Sequence, residues 1–385
     1  MTNPPKNYFE ESLLFHQKLQ GKLETTSKTP INTREDLSLA YTPGVAAPCL
    51  AIAKNPEDAY LYTLKANTVA VISDGSAVLG LGNIGALAGL PVMEGKCVLF
   101  KEFAGINAFP IILATQDTEE IIQTIKNIAP TFGGINLEDF SAPRCFEIEE
   151  RLKAELDIPV MHDDQHGTAI VALAGLINSL KITNRKKEDV KIVISGIGAA
   201  GTAILKLFRL WGITDIVACD SKGILSRSRT DLNSEKQKLV EITNPRDLSG
   251  TLADALKGAD VFVGVSAPNS LSIENVRTMN RESIIFAMAN PIPEIMPDDA
   301  RAGGARIIAT GRSDFPNQLN NVLVFPGIFK GALQYRIRTI TDEMKLSAAE
   351  ALAAYVENPT ENMIIPNPLD KNVVHVIAES IGQFR

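Results

Sequence analysis

Cysteine is scarce: Cys49, Cys97, Cys145 and Cys219 are four in 385 residues, far apart and without a CxxC pair. That spacing fits buried, reduced thiols in a reducing compartment better than disulfides or a zinc site. No apolar run reaches the roughly 20 residues that cross a bilayer, and the N-terminus, MTNPPKNYFEE, lacks the basic-then-apolar order of a secretory signal. The chain is therefore expected in the cytoplasm and off the membrane. Positive charge is also short: 38 Lys and Arg against 45 Asp and Glu leave −7, the wrong sign for a protein whose main partner is nucleic acid. Internal repeats, heptad arrays and low-complexity segments are absent.

What is present is a soluble-enzyme composition, 45% hydrophobic and 22% charged, in a chain longer than the roughly 100–200 residues of one domain. Apolar runs alternate with amphipathic ones from Thr68 onward. TVAVISDG, FPIIL, FGGINL and IPVMH read as strands, with TEEIIQTIKNIA and RCFEIEERLKAEL as helices between them. A second series runs from VKIVISG through DIVACD, DVFVGVS and SIIFAMANP to RIIATG. Both predict the α/β class: a two-domain chain of parallel sheets with helices on their faces, the second domain doubly wound and Rossmann-like. The segment HGTAIVALAGLINSL, from His166, reads as a buried helix joining them, with NRKKED as a surface turn after it. The boundary falls near residue 165, giving domains 1–165 and 166–385. The stretch from about Lys330 is helical in pattern, broken at IIPNPLD, and is expected to pack back on the first domain.

Gly196-Ile197-Gly198-Ala199-Ala200-Gly201 follows a strand and opens a helix. The first glycine allows a tight turn, the second lets backbone approach a pyrophosphate, and the third lets helix and strand pack closely. A second strand ends about twenty residues on at Asp220, the position whose carboxylate accepts hydrogen bonds from an adenosine ribose. This predicts a nicotinamide dinucleotide. The carboxylate, which repels a 2′-phosphate, favours NAD; Lys222, two residues on, leaves NADP open.

Two carboxylate pairs, Glu138-Asp139 and Asp163-Asp164, close successive apolar runs. Neighbours within a strand point to opposite faces, so each pair can share an ion only where the backbone turns. Ser-Ala-Pro after Asp139 supplies one such end. Meeting at the C-terminal edge of one sheet, the pairs would offer an all-oxygen site for Mg²⁺ or Mn²⁺. Helix caps and solvated loop acids are the alternative. A zinc site at His162 and His166 would need both rings on one helix face, whereas this segment begins at a strand end.

Longer motifs go further: YTPGVA at 41–46, SDGSAVLGLGNIG at 73–85, GKCVLF at 95–100, NLEDF at 136–140, HDDQHGTA at 162–169 and FPNQLNNVLVFPG at 315–327. Together they resemble malic enzyme in its short bacterial form, in order along nearly the whole chain. The resemblance implies oxidation of L-malate to pyruvate and CO2 with NAD or NADP and Mg²⁺ or Mn²⁺. It implies Glu138, Asp139 and Asp164 as metal ligands, Asp163 beside them near Lys96, and Tyr41 and Lys96 as the acid and base. Asn290 and the Asn320-Asn321 pair match amide contacts to substrate and nicotinamide, with the choice between Asn320 and Asn321 left open. Read without it, Lys96 is a surface lysine, Tyr41 an amphipathic core residue and Asn290 a turn starter. As a base, Lys96 needs a pKa well below its usual value near 10.4; burial and a divalent cation lower it, while Asp163 opposes.

One motif departs from the pattern. Asp74-Gly75 is followed by Ser76-Ala77, where the long animal-type enzymes have an arginine that clamps a malate carboxylate. Another cation, a partner subunit's included, or amides and metal must hold that group. The resemblance also implies a homodimer, in keeping with residues 1–40 being too short and polar for a core of their own; in a dimer Tyr41 could serve the partner subunit's site. Regulation through a phosphotransacetylase-like extension is not expected. The rival functions are a malolactic enzyme, which retains its coenzyme and releases lactate, a plain malate dehydrogenase, which needs no carboxylate cluster, and a catalytically silent dinucleotide-sensing regulator.

Overall fold

In a computed structural model, residues 8–78 and 81–385 are described. Apolar runs form two separate sheets whose central strands, such as Thr68–Ser73, Val261–Gly264 and Ser283–Ala287, are buried on both faces, as expected of parallel strands covered by helices, while the edge strand Asn107–Ile112 is only partly covered. The first comprises β1 (Thr68–Ser73), β2 (Asn107–Ile112), β3 (Gly134–Leu137) and β4 (Val160–His162), parallel in the order β2-β1-β3-β4. The second comprises β5 (Lys191–Ser195), β6 (Asp215–Asp220), β7 (Gly223–Ile224), β8 (Val261–Gly264), β9 (Ser283–Ala287) and β10 (Ala305–Thr310), in the order β10-β9-β8-β5-β6-β7. All its pairings are parallel except the short β6–β7 hairpin, which the sequence pattern does not reveal. Chain order reverses between β5 and β8, the crevice where open α/β sheets bind ligands.

The expected central helix runs over Asp163–Thr183, starting three residues before His166, so both aspartates occupy its first turn and residue 165 lies inside it. Fourteen of its residues are buried, and one continuous core reaches from Val69 across this helix to Ile381. The helix Phe325–Gln334 returns to the first sheet, setting Phe325 and Phe329 against Phe100 with ring centroids 4.7 and 5.4 Å apart. Asn178 Nδ2 ties the central helix to the C-terminal segments by donating to the carbonyls of Ala353 and Ile364. The N-terminal helices Tyr8–Leu19, Arg34–Ala40 and Ala46–Lys54 contain no buried residue. Among the described residues no helix is long and apolar enough to cross a membrane.

Candidate active site

The C-terminal ends of β1, β3 and β4 converge on a carboxylate cluster. Asn136 and Glu138, two apart, share one face of β3, and Asn136 Nδ2 donates to Glu138 Oε2 at 2.9 Å. Asp139 then takes φ +58°, a left-handed conformation that breaks the alternation and brings two neighbouring acids to one site. Its N–H donates to Asp164 Oδ2 at 2.7 Å, joining the end of β3 to the first turn of the central helix. Glu138, Asp139 and Asp164 each offer an oxygen, all within 4.8 Å of one another.

Lys96, on the helix Ala86–Leu99, is 8% exposed and spans the cluster: Nζ lies 2.9 Å from Glu138 Oε1 and 2.7 Å from Asp163 Oδ2, with the Phe325 ring centroid at 4.4 Å. It is no surface lysine. Burial alone would lower its pKa, but Asp163, then Glu138 and Asp164, outweigh burial and hold the ammonium above its ordinary value. The lowering that a base requires is thus not met by protein charges alone, because the anions are closer than any cation. Burial pushes the carboxyls of Glu138, Asp163 and Asp164 up despite Lys96. One ammonium faces four carboxylates here. The excess of negative charge, hard oxygen donors and an Asp164 side chain 32% open to solvent fit Mg²⁺ or Mn²⁺, held by Glu138, Asp139 and Asp164.

The two histidines are not a metal pair. His162 ends β4, wholly buried, and burial pushes it down to about 4. His166 instead donates from Nε2 to Glu149 Oε2 at 2.8 Å. Glu149 also accepts from the His162 N–H at 3.1 Å and Gln165 Nε2 at 3.3 Å, bracing the start of the central helix from behind. Gly167 leaves room for that turn: a Cβ there would meet Asp163 Oδ1 at 1.9 Å and Asn321 Cβ at 3.0 Å. Asn321 therefore packs beside Asp163, whereas Asn320 caps the following turn by accepting from the Val322 N–H at 2.9 Å. The sequence pattern gave no role to Asn136, Glu149, Gly167 or Phe325, although Asn136, Gly167 and Phe325 stand within the motifs quoted above.

Tyr41 stands apart. It caps the helix Arg34–Ala40, is 66% exposed, and its hydroxyl has no hydrogen-bond partner among the described residues. At Ala77, where an arginine is missing, the N–H donates to the Asp139 carbonyl at 2.9 Å. Asp74 pairs with Arg144 at 2.9 Å on the same sheet edge.

The glycine loop follows β5 at the switch point of the second sheet, and Ala199 beside it packs on the core of the first. Gly196, at φ +99°, turns tightly against Val265, whose carbonyl would lie 2.5 Å from an added Cβ. A Cβ on Gly201 would meet the Gly196 carbonyl at 1.8 Å, so helix Ala199–Trp211 packs on β5 only with glycine there. Nothing lies within 4 Å of a Cβ on Gly198, leaving open space at a helix N-terminus for a pyrophosphate. Ile197 is buried behind the loop, with Ala199 and Ala200 in the first turn. Asn290 is exposed in the loop after β9 and packs over Gly311. Asp220 ends β6 as expected, but its carboxylate is already bound: Arg229 at 2.8 Å and Lys236 at 2.6 Å. Lys222 pairs with Asp231 at 2.8 Å.

Comparison with known proteins gives the family. Residues 20–153 match the profile of the malic enzyme N-terminal domain and residues 165–381 that of the malic enzyme NAD binding domain. The chain is 57% identical to an NAD-dependent malic enzyme of Geobacillus stearothermophilus, covering 97% of this chain and 78% of that one. It is 54% identical to a bifunctional malic/malolactic enzyme of Bacillus subtilis, covering 97% and 92%. An NADP-dependent malic enzyme of Rhizobium meliloti is 49% identical, this chain spanning 51% of its length. The crystal structure of an NAD-dependent malic enzyme from Thermotoga maritima superposes with a TM-score of 0.94 at 52% identity, covering 96% of this chain and 98% of that one. Two matched domains, high identity and a shared fold carry one conclusion: the chain belongs to the malic enzyme family.

Proposed function

We propose that the protein oxidises L-malate to pyruvate and CO2 while reducing NAD or NADP, assisted by Mg²⁺ or Mn²⁺. The observation that carries this reading is the buried Lys96 bridging Glu138 and Asp163, with Glu138, Asp139 and Asp164 offering oxygens close enough to share a metal ion. When bound by Glu138, Asp139 and Asp164, the metal supplies Lewis-acid polarisation of the substrate oxygen and neutralises the excess negative charge. Lys96 takes the hydroxyl proton as hydride passes to the nicotinamide. To be neutral beforehand it must surrender a proton, and Asp163, 2.7 Å from Nζ and buried, is the neighbour placed to accept it. Loss of CO2 leaves the enolate of pyruvate, and Tyr41 returns a proton to its carbon, so that the proton removed by Lys96 is balanced. Asn321, packed beside Asp163, is the amide of its pair nearer the reaction; Asn290 contacts the nicotinamide side.

The molecule works as a homodimer in this reading. Phe9, Leu13, Leu14, Leu39 and Tyr41 are all more than half exposed on N-terminal helices that bury nothing within one chain. A second copy covering them would carry Tyr41 toward the partner's Lys96.

A malolactic outcome is the second reading, favoured by the bifunctional name of the Bacillus subtilis relative. Incubation with L-malate, Mn²⁺ and either coenzyme separates the two. Reduced coenzyme and pyruvate in equal amounts are expected; lactate without net reduction would replace oxidation with malolactic conversion.

A further inference from the structure

Asp220 is the residue a ribose would seek, and its bonding capacity is already filled. Oδ1 accepts from Arg229 Nη1 at 2.8 Å and the Lys222 N–H at 2.9 Å. Oδ2 accepts from Lys236 Nζ at 2.6 Å and Arg229 Nη2 at 3.2 Å. A carboxylate has about four acceptor sites, so a ribose hydroxyl could bind only by breaking a charge-assisted bond. Arg229 and Lys222 also reach Asp231, which makes three cations against two carboxylates and leaves one positive charge in surplus.

Their depths decide what an incoming group meets. Asp220 is 7% exposed and lies beneath, whereas the side chains of Arg229, Lys236 and Lys222 are 15%, 26% and 66% exposed. Asp231, 37% exposed, pairs with Lys222 at 2.8 Å in the solvent-facing way that contributes little and exchanges readily, and holds Arg229 by a bidentate pair, Nε to Oδ1 and Nη2 to Oδ2, both at 2.9 Å. The cluster adjoins the phosphate loop, since the Gly196 N–H donates to the carbonyl of Cys219, the residue before Asp220.

We propose that the ribose end of this site takes a 2′-phosphate, with Arg229, Lys236 and Lys222 as its partners, so that the 2′-phosphorylated dinucleotide is the better coenzyme. This rests on reading Gly196–Gly201 as the phosphate loop of the proposed dehydrogenase, and it opposes the preference for NAD that Asp220 suggests in the sequence. A 2′-phosphate brings about two negative charges to a cluster with one positive charge in surplus, where it can take the place of Asp231 on Lys222 and Arg229, while an unphosphorylated ribose finds no free acceptor.

The test is calorimetric titration of the full chain with adenosine 2′,5′-bisphosphate and with adenosine 5′-phosphate, beside malate-dependent reduction of both coenzymes. The bisphosphate is expected to bind at least about tenfold tighter, with NADP showing the higher kcat/KM. Lys222→Ala, a solvent-facing change that spares the fold, should narrow the gap. The double variant Arg229→Ala/Lys236→Ala should close it and free Asp220 for the ribose, so that monophosphate binding does not fall. Equal or weaker binding of the bisphosphate, or a gap untouched by these substitutions, overturns the proposal. Tight bisphosphate binding without malate-dependent reduction of either coenzyme would uphold this subsite and overturn the proposed reaction instead.

Discussion

Lys96 meets four acidic neighbours with a single charge, and its behaviour follows from that imbalance. Replacing it by alanine leaves buried carboxylates without a counterion. Lys96→Ala is expected to abolish malate oxidation, keep coenzyme affinity, and destabilise chelator-treated protein by about 3–5 kcal/mol. Kinetics, coenzyme titration and denaturant unfolding check the three parts; wild-type turnover would remove the lysine from the chemistry. The acids give a pH signature of definite sign. Burial raises Glu138, Asp163 and Asp164 above their unfolded values, Asp163 to about 7. Between roughly pH 4 and 7 the folded chain therefore binds more protons than the unfolded one, and stability falls as pH rises through that window. Thermal melts with chelator should show higher Tm at pH 6 than at pH 8 from this source. Saturating Mn²⁺ should reverse the order, since the ion binds the deprotonated site. Asp139→Ala should remove that Mn²⁺ response; an unchanged response would exclude Asp139 as a ligand.

Two helix starts organise the site, and in both a glycine permits the packing. Gly167→Ala would drive a methyl into Asp163 and Asn321, displacing the partner of Lys96. A loss of about ten- to a hundredfold in kcat is expected, with coenzyme binding preserved. Gly201→Ala acts on the other element, prising helix Ala199–Trp211 from β5. Coenzyme binding should weaken while Mn²⁺ binding survives. If both variants lost both functions together, the two elements would be one unit rather than separable supports. Most of this architecture was legible as a pattern. Strand runs such as DIVACD match β6 at Asp215–Asp220, and TEEIIQTIKNI matches the helix Thr118–Ile128, because unbroken β-branched runs and 3.6-residue periodicity are local signals. The early start of the central helix was not, since His162-Asp163-Asp164 has no apolar periodicity to announce it; the brace from Glu149 is what fixes that turn.

If Tyr41 serves the partner's site, Tyr41→Ala and Lys96→Ala should each be inactive, yet regain activity when unfolded and refolded together. Random pairing makes half the dimers mixed, each with one intact site, so about a quarter of wild-type activity should return. No recovery in a mixture shown by light scattering to be dimeric would place Tyr41 in its own chain's site.

The order of strands and helices, the glycine loop and the identity of the acids follow from local sequence, because periodicity, turn chemistry and donor type are properties of neighbouring residues. Only the tertiary structure decided that Lys96 lies buried between Glu138 and Asp163, that Asn321 and Asp163 meet over Gly167, and that Asp220 is filled by Arg229 and Lys236. Lys96 lies 67 residues from Asp163. Contacts at such separations depend on how strands order within a sheet and how deeply each charge is buried, and neither is encoded in any short stretch of the chain.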